Sequence, residues 1–277
     1  MIKSIPLITP IDKYNNIDYF SLEKLIFYIN NLNYINYITI FDKFSEYNSL
    51  SSNEKIDIIN CLLNNNKNKK IILYIKNIYN FLDLKEIINQ KIYKDIYYFI
   101  IDYPNLPKKY KKNIFENFNN LFKYFKFLFF FINIKKKKIN ENLFFKLKKN
   151  NNNFLGIIYN GNYFFLKYNL IKKIEIIINN DLYFLNQNNI KTNVISPLFL
   201  FFNDFLNNLN FYNLKKVIYL KKFIYILYNK INYISGIKYI LKENKICKHY
   251  MRKPCNNINK YKKLFLLYKN ININEKI

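Results

Sequence analysis

A chain of 277 residues, 51% of them hydrophobic, can bury a sizeable core, and it is long for one domain but within reach of a single α/β barrel. Its net charge of +27 resembles that of a nucleic-acid binder. However, the excess is Lys with a single Arg (Arg252), beside abundant Asn, Ile, Tyr and Phe and only 3 Gly. Lys, Asn, Ile, Tyr and Phe share AT-rich codons. Mutational drift in an AT-rich genome explains all five, whereas selection for phosphate binding explains only Lys, so any polyanion affinity is expected to be nonspecific and salt-sensitive.

Cys61, Cys247 and Cys255 lack CxxC spacing and have a single His, His249, for company, which argues against a metal site or a disulfide framework. The longest apolar run, residues 127–132, falls far short of the ~20 residues of a membrane span, and no signal-peptide pattern opens the sequence. A soluble, cytoplasmic protein without cofactor or membrane partner is expected.

In chain order, residues 5–8 form a first strand, ended by Thr9-Pro10. Asn15-Asn16 is a turn, and Asp18 caps a helix with Leu22, Leu25, Ile26 and Ile29 on its apolar face. Residues 37–41 are the second strand. Ser51 and Glu54 form a capping box at the head of a helix running to about residue 64. Strand three is 71–75 and its helix 82–92; strand four is 96–101 and its helix 109–125. Strand five is 127–132, a basic loop covers 135–138, and a short helix runs from 140 to 149. Strand six is 154–158. Residues 162–174 are weakly helical, 175–180 are ambiguous, 182–185 are strand seven and 194–196 strand eight. Ile40, Leu73, Phe99, Phe129, Ile157, Phe184 and Ile195 should lie on strands. The remainder is mostly helical, with breaks near 233–236 and at Pro254.

Eight continuous apolar runs alternating with helices describe a parallel sheet covered on both faces. The expected fold is a (β/α)8 TIM barrel, its strands and helices in 1–197 and the last barrel helix with a C-terminal helical appendage in 198–277. An open doubly wound sheet is the alternative.

Several segments resemble the dihydrodipicolinate synthase and N-acetylneuraminate lyase family of pyruvate-dependent aldolases. Thr9-Pro10 is similar to its opening "TPF", and Ile17-Asp18-Tyr19 with Ser21-Leu22 to "(I/V)DxxSL". Glu46, Ser49-Leu50-Ser51 and Glu54 have the spacing of "GTTGESxxLSxxE". Pro104, Phe115 and Phe118 resemble the strand-four motif and its helix. Residues 153–157 resemble "NIxGIK" up to its last position, and Asn193-Val194-Ile195-Ser196 resembles "GVIS". Gly236-Ile237-Lys238 and Met251-Arg252-Lys253-Pro254 resemble "GxK" and "VRLPL", best in the synthase branch. The resemblance extends in order over nearly the whole chain.

It implies a lyase of amino-acid biosynthesis: condensation of pyruvate with aspartate semialdehyde toward diaminopimelate and lysine, in a homotetramer or homodimer. It further implies a Schiff-base Lys on strand six, a proton-relaying Tyr on strand five, a Thr in the strand-two loop, a Tyr after strand four and an Arg after strand five. The backbone of strand eight, here at Ile195, would help hold pyruvate.

The sequence departs at each chemical position. Ile158 stands in place of the Schiff-base Lys, and Lys43-Phe44 replaces the Thr pair between Asp42 and Ser45 in place of glycines. The relay Tyr falls on Phe130 or Ile132, the strand-four Tyr pair on Asn105-Leu106, and the Arg has only residues 135–138 as a cationic substitute. No catalytic residue is retained. Only an amine can condense with a keto group to give the iminium electron sink, so either Lys43 or Lys76, at strand ends facing the presumed site, substitutes for it or the site is dead. Filling the pocket with Ile158 should make it smaller and more apolar, near Ile195 and the strand-five position. Asp42 and Ser45 should strain a loop shaped for glycine. Three functions follow: a drifted synthase, an inactive barrel remnant, or a nonspecific basic nucleic-acid-binding protein.

Overall fold

β-Branched and aromatic runs dominate eight short segments, and each meets its neighbour in parallel. The strands are β1 (Lys3–Pro6), β2 (Tyr37–Ile40), β3 (Lys70–Ile75), β4 (Ile96–Asp102), β5 (Phe130–Ile134), β6 (Phe154–Tyr159), β7 (Glu175–Ile178) and β8 (Asn193–Ile195). In this computed structural model they close in sequence order into one barrel, β8 pairing back onto β1 through Lys3 with Val194 and Ser4 with Ile195. The structure describes residues 1–76, 95–104, 114–134, 141–159, 174–179, 181, 193–202, 214–229, 232–252 and 261–272. The (β/α)8 expectation is met and the open sheet is excluded.

Among the described residues the helices are α1 (Tyr19–Asn30), α2 (Ser52–Asn65), α3 (Ile114–Tyr124), α4 (Glu141–Asn150), α5 (Leu214–Asn229), α6 (Tyr233–Glu243) and α7 (Tyr261–Asn272). The predicted caps form. Asp18 Oδ1 accepts from the Ser21 amide at 3.1 Å. Ser51 Oγ accepts from the Glu54 amide at 3.3 Å while the Glu54 carboxylate accepts from the Ser51 amide at 2.8 Å. The helices expected over 82–92 and 162–174 and the strand expected over 182–185, with Phe184, lie outside the described residues or nearly so.

Three expectations need correction. The seventh barrel strand is Glu175–Ile178, the stretch that looked ambiguous; a charged residue heading three isoleucines hides the strand pattern, but Gly156, Ile157 and Ile158 of β6 pair with it. This leaves residues 179–192 for the crossover to β8, which suits the dozen or more residues a parallel connection needs. Phe129 precedes β5 and is 47% exposed, so the strand begins later than the apolar run does. Residues 233–236 are the first turn of α6 rather than a break; Asn232 caps it by accepting from the Ile234 and Ser235 amides.

Alternation along the strands sorts side chains between the interior and the helix layer. Inside the barrel, Tyr98 stacks on Tyr37 at 5.6 Å and meets Phe131 edge-on at 5.3 Å, and the Ser4 and Thr39 hydroxyls bond at 2.6 Å. Between barrel and helices, Phe130 contacts Phe99 and Phe122, and Phe122 stacks on Phe154 at 5.6 Å. Fully burying each such ring stabilises the fold by roughly 1.5–3 kcal/mol. Gly156 has a local reason: a Cβ there would sit 1.9 Å from the Glu175 carbonyl oxygen, so β6 and β7 approach as closely as they do only around glycine.

Candidate active site at the C-terminal barrel mouth

The strands deliver their last residues to one end of the barrel, where sites on this fold are built. A cavity of about 510 Å³ opens there, lined by Phe41, Asp42, Lys43, Tyr74, Lys76, Asp102, Asn133 and Asn179 from strand ends, with Glu46, Arg252 and neighbours closing one side. Its floor is a buried polar triangle. Tyr74 donates its hydroxyl to Asp102 Oδ1, and Asn133 Nδ2 donates to both, at 2.5 Å to Tyr74 Oη and 2.6 Å to Asp102 Oδ1. Burial, reinforced by the Asp102 charge, pushes the Tyr74 phenol well above its ordinary value and keeps it neutral.

Asp42, just past β2, is 2% exposed. Its Oδ1 accepts from the Phe44 amide at 2.8 Å, while Oδ2 has no partner among the described residues. Burial lifts its carboxyl to about 7, against the opposing pull of the Phe44 and Ser45 amides and the Lys43 charge. Asn179, just past β7, is 4% exposed and likewise keeps a partnerless side-chain oxygen. Lys43 donates to the Asn179 carbonyl at 3.3 Å and lies 4.7 Å over the Phe44 ring; Lys76 donates to Asn48 Oδ1 at 2.5 Å. Behind the mouth, Asp181 is buried and accepts from the hydroxyls of Ser196, Tyr228 and Tyr233, while burial raises its carboxyl above the usual range.

A second cluster holds the C-terminal segment over the β2 loop. Lys238 of α6 pairs with Glu46 and donates to the Tyr250 carbonyl at 3.0 Å, with its side chain wholly buried. Arg252 pairs with Glu54 and donates to the carbonyls of Ser49 and Asn15, and its amide donates to Glu46 at 3.2 Å. Arg252 holds the Glu54 carboxyl down at about 2. Three separate segments of the sequence resemblance therefore meet here.

The residues singled out from the sequence are distributed unevenly. Lys43 and Lys76 both line the cavity. Ile158 pairs with Asn133 and Ile177 on the interior face and is fully buried, as expected, but neither it nor Ile195 lines the cavity. Most of the lining residues are polar, because the strand ends carry Asp, Asn and Lys beyond the buried isoleucines, but apolar atoms make up more of the cavity surface. Phe130 faces the helix layer, and by alternation so does Ile132; the interior positions of β5 are Phe131 and Asn133. Backbone strain also falls elsewhere: Phe41 (φ 64°) and Glu46 (φ 55°) take the left-handed conformation, and Asp42 and Ser45 do not. Asn105-Leu106 and 135–138 lie outside the described residues. Asp42, Tyr74, Asp102, Asn133 and Asn179 were missed as site residues. Their signal was a polar residue at the end of an apolar run, repeated on strand after strand.

A closed parallel eight-stranded barrel with a cavity at its C-terminal mouth defines a (β/α)8 scaffold. Structurally similar proteins include the N-acetylneuraminate lyase of Fusobacterium nucleatum (TM-score 0.79, 16% identity, covering 98% of this chain and 97% of that one). The N-acetylneuraminate lyase of Proteus mirabilis superposes with TM-score 0.81 at 11% identity, over 98% and 99% of the two chains. The 4-hydroxy-tetrahydrodipicolinate synthase of Methylacidiphilum fumariolicum gives 0.75 at 16%, over 100% and 98%. No protein-family model and no curated protein sequence matches the chain. Among the described residues no helix is long and apolar enough to cross a membrane, and no group of three or more His, Cys, Asp or Glu could hold a metal ion.

Proposed function

We propose that this chain is a drifted barrel of the 4-hydroxy-tetrahydrodipicolinate synthase line in which pyruvate is no longer condensed at strand six. The observation that carries this reading is Ile158, fully buried on the interior face two residues after the close-packed Gly156. In the implied reaction, a strand-six amine adds to the keto carbon of pyruvate and water leaves; the iminium takes up the electrons of a methyl C–H bond as a base removes the proton, and the resulting enamine attacks the aldehyde carbon of aspartate semialdehyde, whose oxygen gains a proton. An isoleucine side chain can take no part in the first step. The synthase rather than the lyase branch is supported by the C-terminal segments around Lys238 and Arg252, whose sequences resemble that branch best and which pair with Glu46 and Glu54 of the strand-two loop.

One specific observation favours a second reading, a relocated Schiff base. Lys43 lines the cavity and reaches the Asn179 carbonyl. Against it, the Lys43 ammonium is already engaged by the Asn179 carbonyl and the Phe44 ring. The reading as a nonspecific nucleic-acid binder has no feature of the site behind it. The test is incubation with pyruvate and borohydride, then mass mapping of trapped lysines. No adduct is expected. A stoichiometric adduct at Lys43 or Lys76 replaces the first reading with the second, and an Ile158→Lys variant that traps pyruvate shows that the interior still admits it.

A further inference from the structure

Two carboxylate- and amide-borne acceptors are left over at the barrel mouth. Asp42 Oδ2 and Asn179 Oδ1 are both buried, both belong to residues lining the same cavity, and neither has a partner among the described residues. A buried acceptor without a donor costs about 1–3 kcal/mol, more when charged. Because both residues line the cavity, a ligand that brings N–H donors into it would relieve both oxygens once the side chains turn toward it. The same cavity carries the opposite demand at its rim, where Lys43 and Lys76 are exposed. Lys76 gives one of its three N–H donors to Asn48, and an ammonium in such a position attracts a carboxylate.

We propose that this cavity binds a small α-amino acid without covalent attachment, its ammonium donating to Asp42 and Asn179 and its carboxylate facing Lys43 and Lys76. The complementarity is inverted relative to a Schiff-base site. There, the protein supplies an amine and the ligand a carbonyl; here, the protein supplies buried oxygens and the ligand the amine. The cavity of about 510 Å³ falls within the range of small-molecule sites, and Phe41, Tyr47, Ile234 and Met251 provide apolar wall for a short side chain. The inference goes beyond the synthase reading and does not depend on whether pyruvate condenses.

The charge state of Asp42 gives the site a pH signature. Its surroundings are Lys43 on its own loop, Tyr74 of β3 with Asp102 bound to it, and Tyr228 and Tyr233 across the mouth with Asp181 between them. The three phenols are held neutral by burial. Asp42 itself titrates at about 7, so its carboxylate form, which an ammonium needs, grows about tenfold between pH 6 and pH 8.

The test is calorimetric titration of the full chain with three compounds on one five-carbon skeleton: L-norvaline, pentanoate and 2-oxopentanoate. Saturable binding of norvaline is expected, with pentanoate and 2-oxopentanoate weaker by about tenfold or more. Norvaline affinity should rise about tenfold from pH 6 to pH 8 while that of pentanoate does not rise. Asp42→Asn, checked for folding by circular dichroism, should weaken norvaline by about tenfold or more and leave pentanoate unchanged. Absence of saturable norvaline binding, pentanoate binding as tightly as norvaline, or an Asp42→Asn variant that binds norvaline normally overturns the proposal. Preference for 2-oxopentanoate also overturns it and marks an inherited keto-acid pocket, a result distinct from the borohydride trap, which reads only covalent attachment.

Discussion

The β2 loop serves two regions that differ in what they ask of their charges. At its far end, Glu46 and Glu54 are matched by Lys238 and Arg252, and the pairs tie the C-terminal helices to the barrel mouth. At its near end, Asp42 lines a cavity and keeps one buried oxygen unmatched, and the interior position where the proposed reading looks for an amine holds Ile158. In the first region, replacing either partner of the Glu46–Lys238 pair strands a buried charge, so that pair resists drift one residue at a time. In the second the energetics run the other way. A buried amine is costly to keep, and an isoleucine that fills its place contributes roughly 2 kcal/mol of apolar burial. Without pressure from the reaction, stability alone moves position 158 toward what is found there.

The largest expected effect tests the first half of this comparison. Lys238→Met removes an ammonium whose side chain is completely buried and leaves Glu46 with only amide and solvent compensation. Stability in urea should fall by about 3–5 kcal/mol. A loss below about 1 kcal/mol would show that the pair is no stronger than a surface contact and that the two regions do not differ in this way.

The second half is tested by Asp42→Asn, with the opposite sign. The native carboxyl holds its proton up to about pH 7, whereas the unfolded one releases it near its ordinary 3.8. Between those values the native state binds more protons than the unfolded state, so the Asp42 contribution to stability falls as pH rises and the penalty is complete above pH 7. The variant should therefore be more stable than the parent at pH 8, by at most about 4 kcal/mol, with little difference at pH 4. Denaturation curves at the two pH values decide it. A residue that destabilises the fold while lining a cavity is the signature of a site rather than of a scaffold.

The barrel was legible in the sequence because its signals are local and repeated: apolar runs of strand length, two good caps, and helical faces such as Ile114, Phe118, Leu121 and Phe122. Strand ends were less so. Phe130, Phe131 and Ile132 are all apolar, and nothing in such a run says which face each takes; the neighbouring rings and the polar partners of Asn133 decide it. The strand-two loop misled for a related reason. Matching it to a glycine-bearing motif put the strain at Asp42 and Ser45, whereas the chain turns at Phe41 and Glu46. That position 158 holds Ile rather than Lys was visible at once. What occupies the mouth instead was not, because Asp42, Asp102, Asn133 and Asn179 are far apart in sequence and become one wall only when the barrel closes.

The smallest expected effect sharpens the comparison within the ion-pair region itself. Glu54 has two tasks, closing the capping box on Ser51 and pairing with Arg252. Glu54→Gln separates them, since glutamine serves a capping box as glutamate does but carries no charge. The Glu54–Arg252 pair is partly open to solvent, unlike Glu46–Lys238, so screening reduces its value and the variant should lose only about 0.5–1 kcal/mol at neutral pH. The Arg252 hydrogen bond lowers the Glu54 carboxyl to about 2, below its ordinary 4.5. Its contribution is thus present above the unfolded value and is lost as pH falls from about 4.5 toward 2. The parent and the Gln variant should accordingly converge in stability across that acid window, and at neutral pH the gap should narrow in 1 M salt. A gap that persists unchanged below pH 2 would mean that packing or capping, not charge, is what Glu54 contributes.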